Sequence, residues 1–199
     1  MSEWLGAHWL ELFGFVTGAI CVALAARRSI WNFPLGLLNS SVFFVVFTGA
    51  ALYAAAGLQL VYIGLGVAGW VGWLRGTHLD DDRIAPRSTP RGAVLPLAAA
   101  TVALTAGLWW VLDTWTDSTT QLADAATTGL SLTAQFMLNK RWLHNWLVWI
   151  TVDAGYVGLY LAKGLVPTAL LYLIFIGIAV AGYRSWRATL TRENAMSDR

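Results

Sequence analysis

Lys140-Arg141-Trp142-Leu143-His144-Asn145 breaks the chain between two long apolar runs, and Arg27-Arg28-Ser29-Ile30-Trp31-Asn32 does so 113 residues earlier. Outward from this pair, Ala68-Gly69-Trp70-x-x-Trp73 returns at the same offset as Ala181-Gly182-Tyr183-x-x-Trp186. A further marker, Leu52-Tyr53-x-x-x-Gly57-Leu58, is echoed by Leu159-Tyr160-x-x-x-Gly164-Leu165 at an offset of 107, which needs a compensating shift of six residues. Markers in one order at a near-constant offset describe an internal duplication.

Composition says what kind of unit is duplicated. The chain has 199 residues, 57% hydrophobic and 12% charged, with 12 tryptophans and a mean hydropathy of +0.59. Soluble domains carry roughly 25% charged residues, so the polar surface of a dissolved globule is missing and the chain belongs in a lipid bilayer. A span takes about 20 apolar residues. Seven segments fit, at about 9–26, 31–50, 58–75, 93–112, 121–139, 144–162 and 166–183. Pro34 sits in the first turn of the second segment, where its missing N–H costs nothing.

Charge placement tests this count, because Lys and Arg gather in cytoplasmic connections. Twelve of the 13 basic residues fall in alternate connections: Arg27-Arg28, then the loop 76–92 with Arg75 at its edge, then Lys140-Arg141, then the tail 184–199. The opposite connections hold Lys163 and the acidic Asp113 and Asp117. The N-terminus is therefore expected outside and the C-terminus inside, and the net charge of +2 reports orientation, with no nucleic acid needed to explain it. The loop 76–92, with Asp80-Asp81-Asp82, Pro86 and Pro90, reads as a solvated cytoplasmic linker. The single cysteine, Cys21, excludes an intramolecular disulfide and reads as a packing thiol.

The expected fold is thus all-α and integral to the membrane, a single transmembrane domain of seven helices: a first three-helix repeat at 9–75, a linker helix at 93–112 and a second repeat at 121–183. Because the copies start four helices apart, both run in the same direction. Parallel repeats about an axis along the membrane normal are a transporter arrangement, with the ligand near the midplane between the halves.

Polar residues inside the segments lie on helical stripes. Asp124, Thr128, Ser131 and Gln135 share one face of the fifth segment, and Asn145, Trp149 and Asp153 one face of the sixth. Gln59, Tyr62, Gly66, Gly69 and Trp73 do so in the third, and Asn32, Gly36, Asn39 and Phe43 in the second. Hydroxyls and glycines on such stripes commonly just hold helices together, which is the reading for Thr127 and Ser131. Amides cost more to bury, so Asn39, Asn145 and Gln135 point to ligand contacts. Asp153, an acid near mid-membrane, is a functional candidate by default. Trp109, Trp110 and Trp115 fit an outer aromatic belt and Trp31, Trp142 and Trp186 an inner one. Trp70, Trp146 and Trp149 are deeper and suit stacking on a flat ligand, with a cation–π gain of about 0.5 to 2 kcal/mol for a cationic ring. Catalysis finds no support: His8, His78 and His144 form no Ser–His–acid set or HExxH pattern, no phosphate-binding loop is present, and no cofactor or metal is implied.

Trp31-Asn-Phe-Pro-Leu-Gly-Leu-Leu-Asn39, Leu52-Tyr53, Gly69-Trp70-x-x-Trp73, Thr127-Thr128-x-Leu-Ser131-x-x-x-Gln135 and Asn145-Trp146-Leu-Val-Trp149-Ile-x-x-Asp153 together resemble the PnuC family of bacterial vitamin transporters, over about residues 12–187. The resemblance implies a homotrimer of seven-helix protomers with a SWEET-like three-plus-one-plus-three fold in the bacterial cytoplasmic membrane. It also implies facilitated diffusion of nicotinamide riboside, retained inside by a cytoplasmic kinase that forms no stable complex. On it, Asn145 and Trp149 match the family's binding asparagine and tryptophan, Trp70 and Trp73 its Gly-Trp-x-x-Trp aromatics, and Gln135, Thr128 and Asn39 polar positions of the pattern. His144 departs from the Glu that many relatives carry there. Relatives also carry thiamine or riboflavin, and the riboflavin branch tends to lack the asparagine at the position of Asn145. A vitamin-binding subunit that relies on a separate ATPase is a competing expectation.

Overall fold

The computed structural model describes residues 2–49, 53–76, 84–115, 120–162, 164 and 166–197. Leu52, Asp80-Asp81-Asp82, Asp117, Lys163 and Leu165 lie outside them. Seven helices appear among the described residues: α1 (Ser2–Ala26), α2 (Asn32–Gly49), α3 (Tyr53–Leu74), α4 (Arg91–Trp115), α5 (Gln121–Asn139), α6 (Asn145–Ala162) and α7 (Val166–Ser197). By length and composition, three stretches suffice to cross a membrane: Ala56–Leu74, Arg91–Trp115 and Thr168–Glu193; Phe13–Ala26 and Asn32–Val46 are apolar but shorter.

The helix starts sharpen the repeat spacing. Asn32 and Asn145 open α2 and α6, and Tyr53 and Val166 open α3 and α7, both pairs 113 apart. Tyr53 opens α3 while Tyr160 lies inside α6, so the marker at offset 107 joins different elements and no six-residue shift is needed. α7 also runs past the apolar stretch, through Arg184 and Arg187 to Ser197. No Gly or Pro interrupts that extension, and its Ala, Leu, Arg and Glu favour helix even in water.

The chain forms two compact units, 1–85 and 86–199. In the first, α2 packs against α1 and α3. The α1–α2 corner is a Schellman turn: Arg28 takes φ 63°, its N–H reaches the Ala25 carbonyl at 2.9 Å, and the Ser29 N–H reaches Leu24 at 2.9 Å. Glycine usually fills this left-handed position, since a Cβ there meets the backbone. Asn32 then donates from Nδ2 to the Ser29 carbonyl at 2.7 Å, and the Cys21 thiol donates to the Asn32 carbonyl at 3.0 Å. Phe33 packs edge-on against Trp73 of α3 at 5.0 Å.

In the second unit, α5 packs on α4 and α6, and α6 on α7. The α5–α6 corner has the same Schellman geometry: Arg141 takes φ 62°, with its N–H on Leu138 at 2.8 Å and the Trp142 N–H on Met137 at 3.0 Å. Asn145 donates from Nδ2 to the Trp142 carbonyl at 2.7 Å. Trp146 packs edge-on against Trp186 at 5.5 Å, and a Cβ on Gly182 would lie 2.8 Å from the Trp146 ring. Trp186 is thus core rather than belt, while Trp31, Trp109, Trp110 and Trp115 are exposed.

The linker departs from expectation where it is described. Ile84 is buried and its N–H reaches the Arg28 carbonyl at 3.3 Å. Arg87 bridges to the other corner, donating to the Arg141 carbonyl at 2.7 Å and accepting from the Leu143 N–H at 2.9 Å. The left-handed turns leave outward-facing carbonyls, and residues 84–87 satisfy them rather than staying solvated.

Candidate functional site

The candidate residues divide between the units. Asn39, Gln59, Trp70 and Trp73 belong to the first, and Thr128, Gln135, Asn145, Trp146, Trp149 and Asp153 to the second.

In the first unit, Asn39 donates from Nδ2 to the Thr17 hydroxyl of α1. Its amide therefore ties α1 to α2, the helix-bonding role that sequence assigned to Thr and Ser rather than to this Asn. Trp73 is 0% exposed, wholly engaged with Phe33 and its surroundings. Gln59 and Trp70 are half-buried on the same helix.

In the second unit, α5 settles most of its own polarity. Thr127, Ser131 and Thr133 donate to carbonyls four residues back, at 2.8, 2.8 and 3.0 Å. Thr133 also meets Thr101 of α4 at 2.7 Å. Gln135 donates from Nε2 to Asn139 Oδ1 at 3.1 Å, one turn on along α5. Thr128 is half-buried. At the corner, exposed His144 meets the Thr89 hydroxyl through Nδ1 at 2.9 Å. Arg141 is buried with one guanidinium nitrogen unpaired; burial first, then the Arg87 charge, draws its pKa below the usual arginine value.

α6 carries the remaining chemistry on one face. Asn145 is 0% exposed; its Nδ2 is engaged at the corner, and its Oδ1 has no hydrogen-bond partner among the described residues. Trp146, on another face, is locked between Gly182 and Trp186. Trp149, one turn beyond Asn145, is half-buried and its ring meets no other ring among the described residues. Asp153, a turn further, is 8% exposed and has no hydrogen bond or ion pair among the described residues. Its electrostatic neighbours are Tyr156 and Tyr172.

Those tyrosines extend the stripe beyond the residues singled out from sequence. Spacings of 3 and 4 carry it from Asp153 to Tyr156 and Tyr160. Tyr172 of α7 closes on both, with centroids 4.8 Å from Tyr156 and 5.4 Å from Tyr160. Tyr156 also lies beside Thr127 of α5. The same periodicity that joins Asn145 to Asp153 contained this signal.

Residues 8–188 match the model of the nicotinamide mononucleotide transporter family. The chain belongs to this family. Among its PnuC relatives, the Escherichia coli nicotinamide riboside transporter PnuC is 25% identical, over 89% of this chain and 84% of that protein. The riboflavin/roseoflavin transporter RibM of Streptomyces davaonensis is 30% identical over the same shares of each chain. The crystal structure of the vitamin B3 transporter PnuC shares the fold, with a TM-score of 0.75 and 24% identity, over 93% of this chain and 83% of that one. The protein is accordingly a multi-pass membrane transporter of the bacterial inner membrane, in a family of transporters rather than enzymes.

Proposed function

We propose that this transporter takes up nicotinamide riboside by facilitated diffusion, and that phosphorylation by a cytoplasmic kinase traps the product inside. The carrying observation is the α6 face, where, among the described residues, the Trp149 ring meets no other ring and the Asp153 carboxylate one turn on makes no hydrogen bond or ion pair. A pyridinium ring carries its positive charge in a flat π system, so an aromatic face and a carboxylate are its complementary groups. The orphaned Asn145 Oδ1 accepts from a ribose hydroxyl, and Gln135 and Thr128 supply further polar contacts. Gln59 and Trp70 are the ligand candidates of the first unit, whereas Asn39 acts by bonding α1 to α2, and Trp73 and Trp146 act through the packing of neighbours rather than by touching the ligand.

The same face argues against the phosphorylated nucleotide named in the family description. Residues 121–139, 145–162 and 166–183 contain no Lys, Arg or His, and a phosphate adds roughly −1.5 to −2 charge. Entry of the cation is instead favoured by the negative interior, by about 2.3 kcal/mol per 100 mV, so no ion coupling is needed.

The wider reading places α1–α3 and α5–α7 as parallel copies about α4, in a SWEET-like arrangement with the N-terminus outside, assembled as a homotrimer. The matched Schellman corners at Arg28 and Arg141, and the T-shaped pairs Phe33–Trp73 and Trp146–Trp186 at one offset, support the duplication.

A second reading keeps the fold and mechanism but moves the substrate to riboflavin, and the 30% identity to RibM favours it. Equilibrium binding of nicotinamide riboside, thiamine and riboflavin to the purified protein, followed by tryptophan fluorescence, separates the two. Tightest binding of the riboside is expected. Preference for riboflavin transfers the assignment to the second reading, and binding of none of the three overturns both.

A further inference from the structure

Beyond Trp149, on the Ala162 side of α6, the structure gathers against Asp153 three tyrosines that the binding of a riboside at Asn145 and Trp149 does not use. Tyr160 and Tyr172 lie 18° from parallel at 5.4 Å, Tyr156 and Tyr172 33° at 4.8 Å, and Tyr156 and Tyr160 26° at 6.0 Å. Tyr172 packs its ring on that of Tyr160, and Tyr156 lies beside Thr127. These contacts hold the rings in one stack. Asp153 faces that stack through Tyr156 and Tyr172, is more than nine-tenths buried, and has neither an ion pair nor a hydrogen bond among the described residues.

A plain aromatic core accounts for the rings but not for their company. At an offset of 113, Phe43 and Phe47 stand where Tyr156 and Tyr160 stand, and Ser40 stands where Asp153 stands. The first copy keeps rings at these positions and dispenses with hydroxyls and acid. An isolated carboxylate inside a membrane protein is costly unless something positive reaches it, and residues 121–139, 145–162 and 166–183 supply no basic side chain. Electron-rich ring faces beside a carboxylate make the standard environment for an organic cation.

We infer that Asp153 with Tyr156, Tyr160 and Tyr172 forms a second station for an organic cation, about one to three helical turns beyond Trp149, that receives the charged ring of the transported molecule on its way to or from Trp149. At 1.5 Å per residue, Tyr156 lies about 10 Å along α6 from Trp149, so a ligand moves between stations by roughly its own length. The inference rests on the reading of the substrate as a cationic aromatic vitamin, and it adds the residues that select for charge.

The test uses the full chain in lipid nanodiscs and two probes of one ring, 1-methylnicotinamide as the cation and nicotinamide as its neutral counterpart, with uptake of nicotinamide riboside measured separately in proteoliposomes. The cation is expected to bind about fivefold more tightly than the neutral ring, ~1 kcal/mol. Asp153→Asn abolishes that preference, and Tyr172→Leu lowers it more than Tyr172→Phe, which keeps the ring face. Reading the ratio of the two probes in each variant removes effects on folding or on general affinity. Equal binding of the two probes by the unaltered protein, or an unchanged ratio in Tyr172→Leu whatever Asp153→Asn does, overturns the station. Riboside uptake with an unchanged ratio sinks the station and leaves the substrate reading standing. Loss of the preference as expected, without riboside uptake, supports the station and moves the substrate to another organic cation.

Discussion

The α1–α2 and α5–α6 corners are built alike, yet the helices that leave them differ in chemistry. Both corners end a helix on an arginine at φ 63° or 62°, donate from an asparagine to the carbonyl three residues back, and brace the next residue edge-on against a tryptophan. One turn on, α2 presents Gly36 and Ser40 where α6 presents Trp149 and Asp153. On the proposed function the corner is therefore scaffold, and recognition falls to the helical turns beyond it in the second copy. Asn145 illustrates the distinction within one side chain: its Nδ2 plays the part that Asn32 plays, and its unpartnered Oδ1 is left for something else.

The sharpest way to break this likeness is to remove the ring that only α6 carries. Trp149→Ala is expected to weaken riboside binding roughly hundredfold, ~3 kcal/mol, as loss of a central aromatic anchor does. Because Trp149 is half-buried and makes no ring contact among the described residues, the thermal unfolding midpoint should fall far less than the affinity. A titration of the purified variant decides it: affinity within threefold of the parent would place the ligand away from this face.

How much of this was legible from sequence depended on whether the property was periodic. Helix positions and the Asn145-Trp149-Asp153 stripe follow from spacings of three and four, although α1 and α3 begin at Ser2 and Tyr53, ahead of the expected 9 and 58. Tyr156 and Tyr160 obey the same spacing, but tyrosine serves equally in belts and cores, so residue type alone did not mark them. The fate of each tryptophan was not periodic. Trp73, Trp146 and Trp186 are consumed by edge-on contacts whose partners come from other helices, and no single-helix pattern contains that information. The partner of Asn39 was hidden for a related reason, because the hydroxyl to which its amide donates lies 22 residues away on α1. Residues 84–87 read as solvated because the loop 76–92 around them is polar, whereas their backbone is recruited by carbonyls that the left-handed turns leave open.

The matched corners also carry an expected effect on stability. Arg141 holds a conformation that glycine adopts without strain, and its buried guanidinium has an unpaired nitrogen beside Arg87. Arg141→Gly is expected to stabilise the protein by about 1 kcal/mol through relief of the left-handed backbone. A rise in the unfolding midpoint in detergent would establish the corner as scaffold. A fall would show that the guanidinium contributes contacts outweighing the strain.

The smallest expected effect lies in the first copy and bears on where recognition stops. Asn39 is the amide that sequence favoured as a ligand contact, and its Nδ2 is occupied by Thr17. Interhelical hydrogen bonds of this kind contribute about 0.6 kcal/mol on average in membrane proteins. Asn39→Ala should lower the unfolding midpoint slightly, and Thr17→Val should do the same, with no further loss in the double variant because both remove one bond. Riboside affinity should stay within twofold in all three. Loss of affinity in Asn39→Ala but not in Thr17→Val would mean that the amide leaves Thr17 when the ligand binds, and the first copy would then share in recognition rather than only frame it.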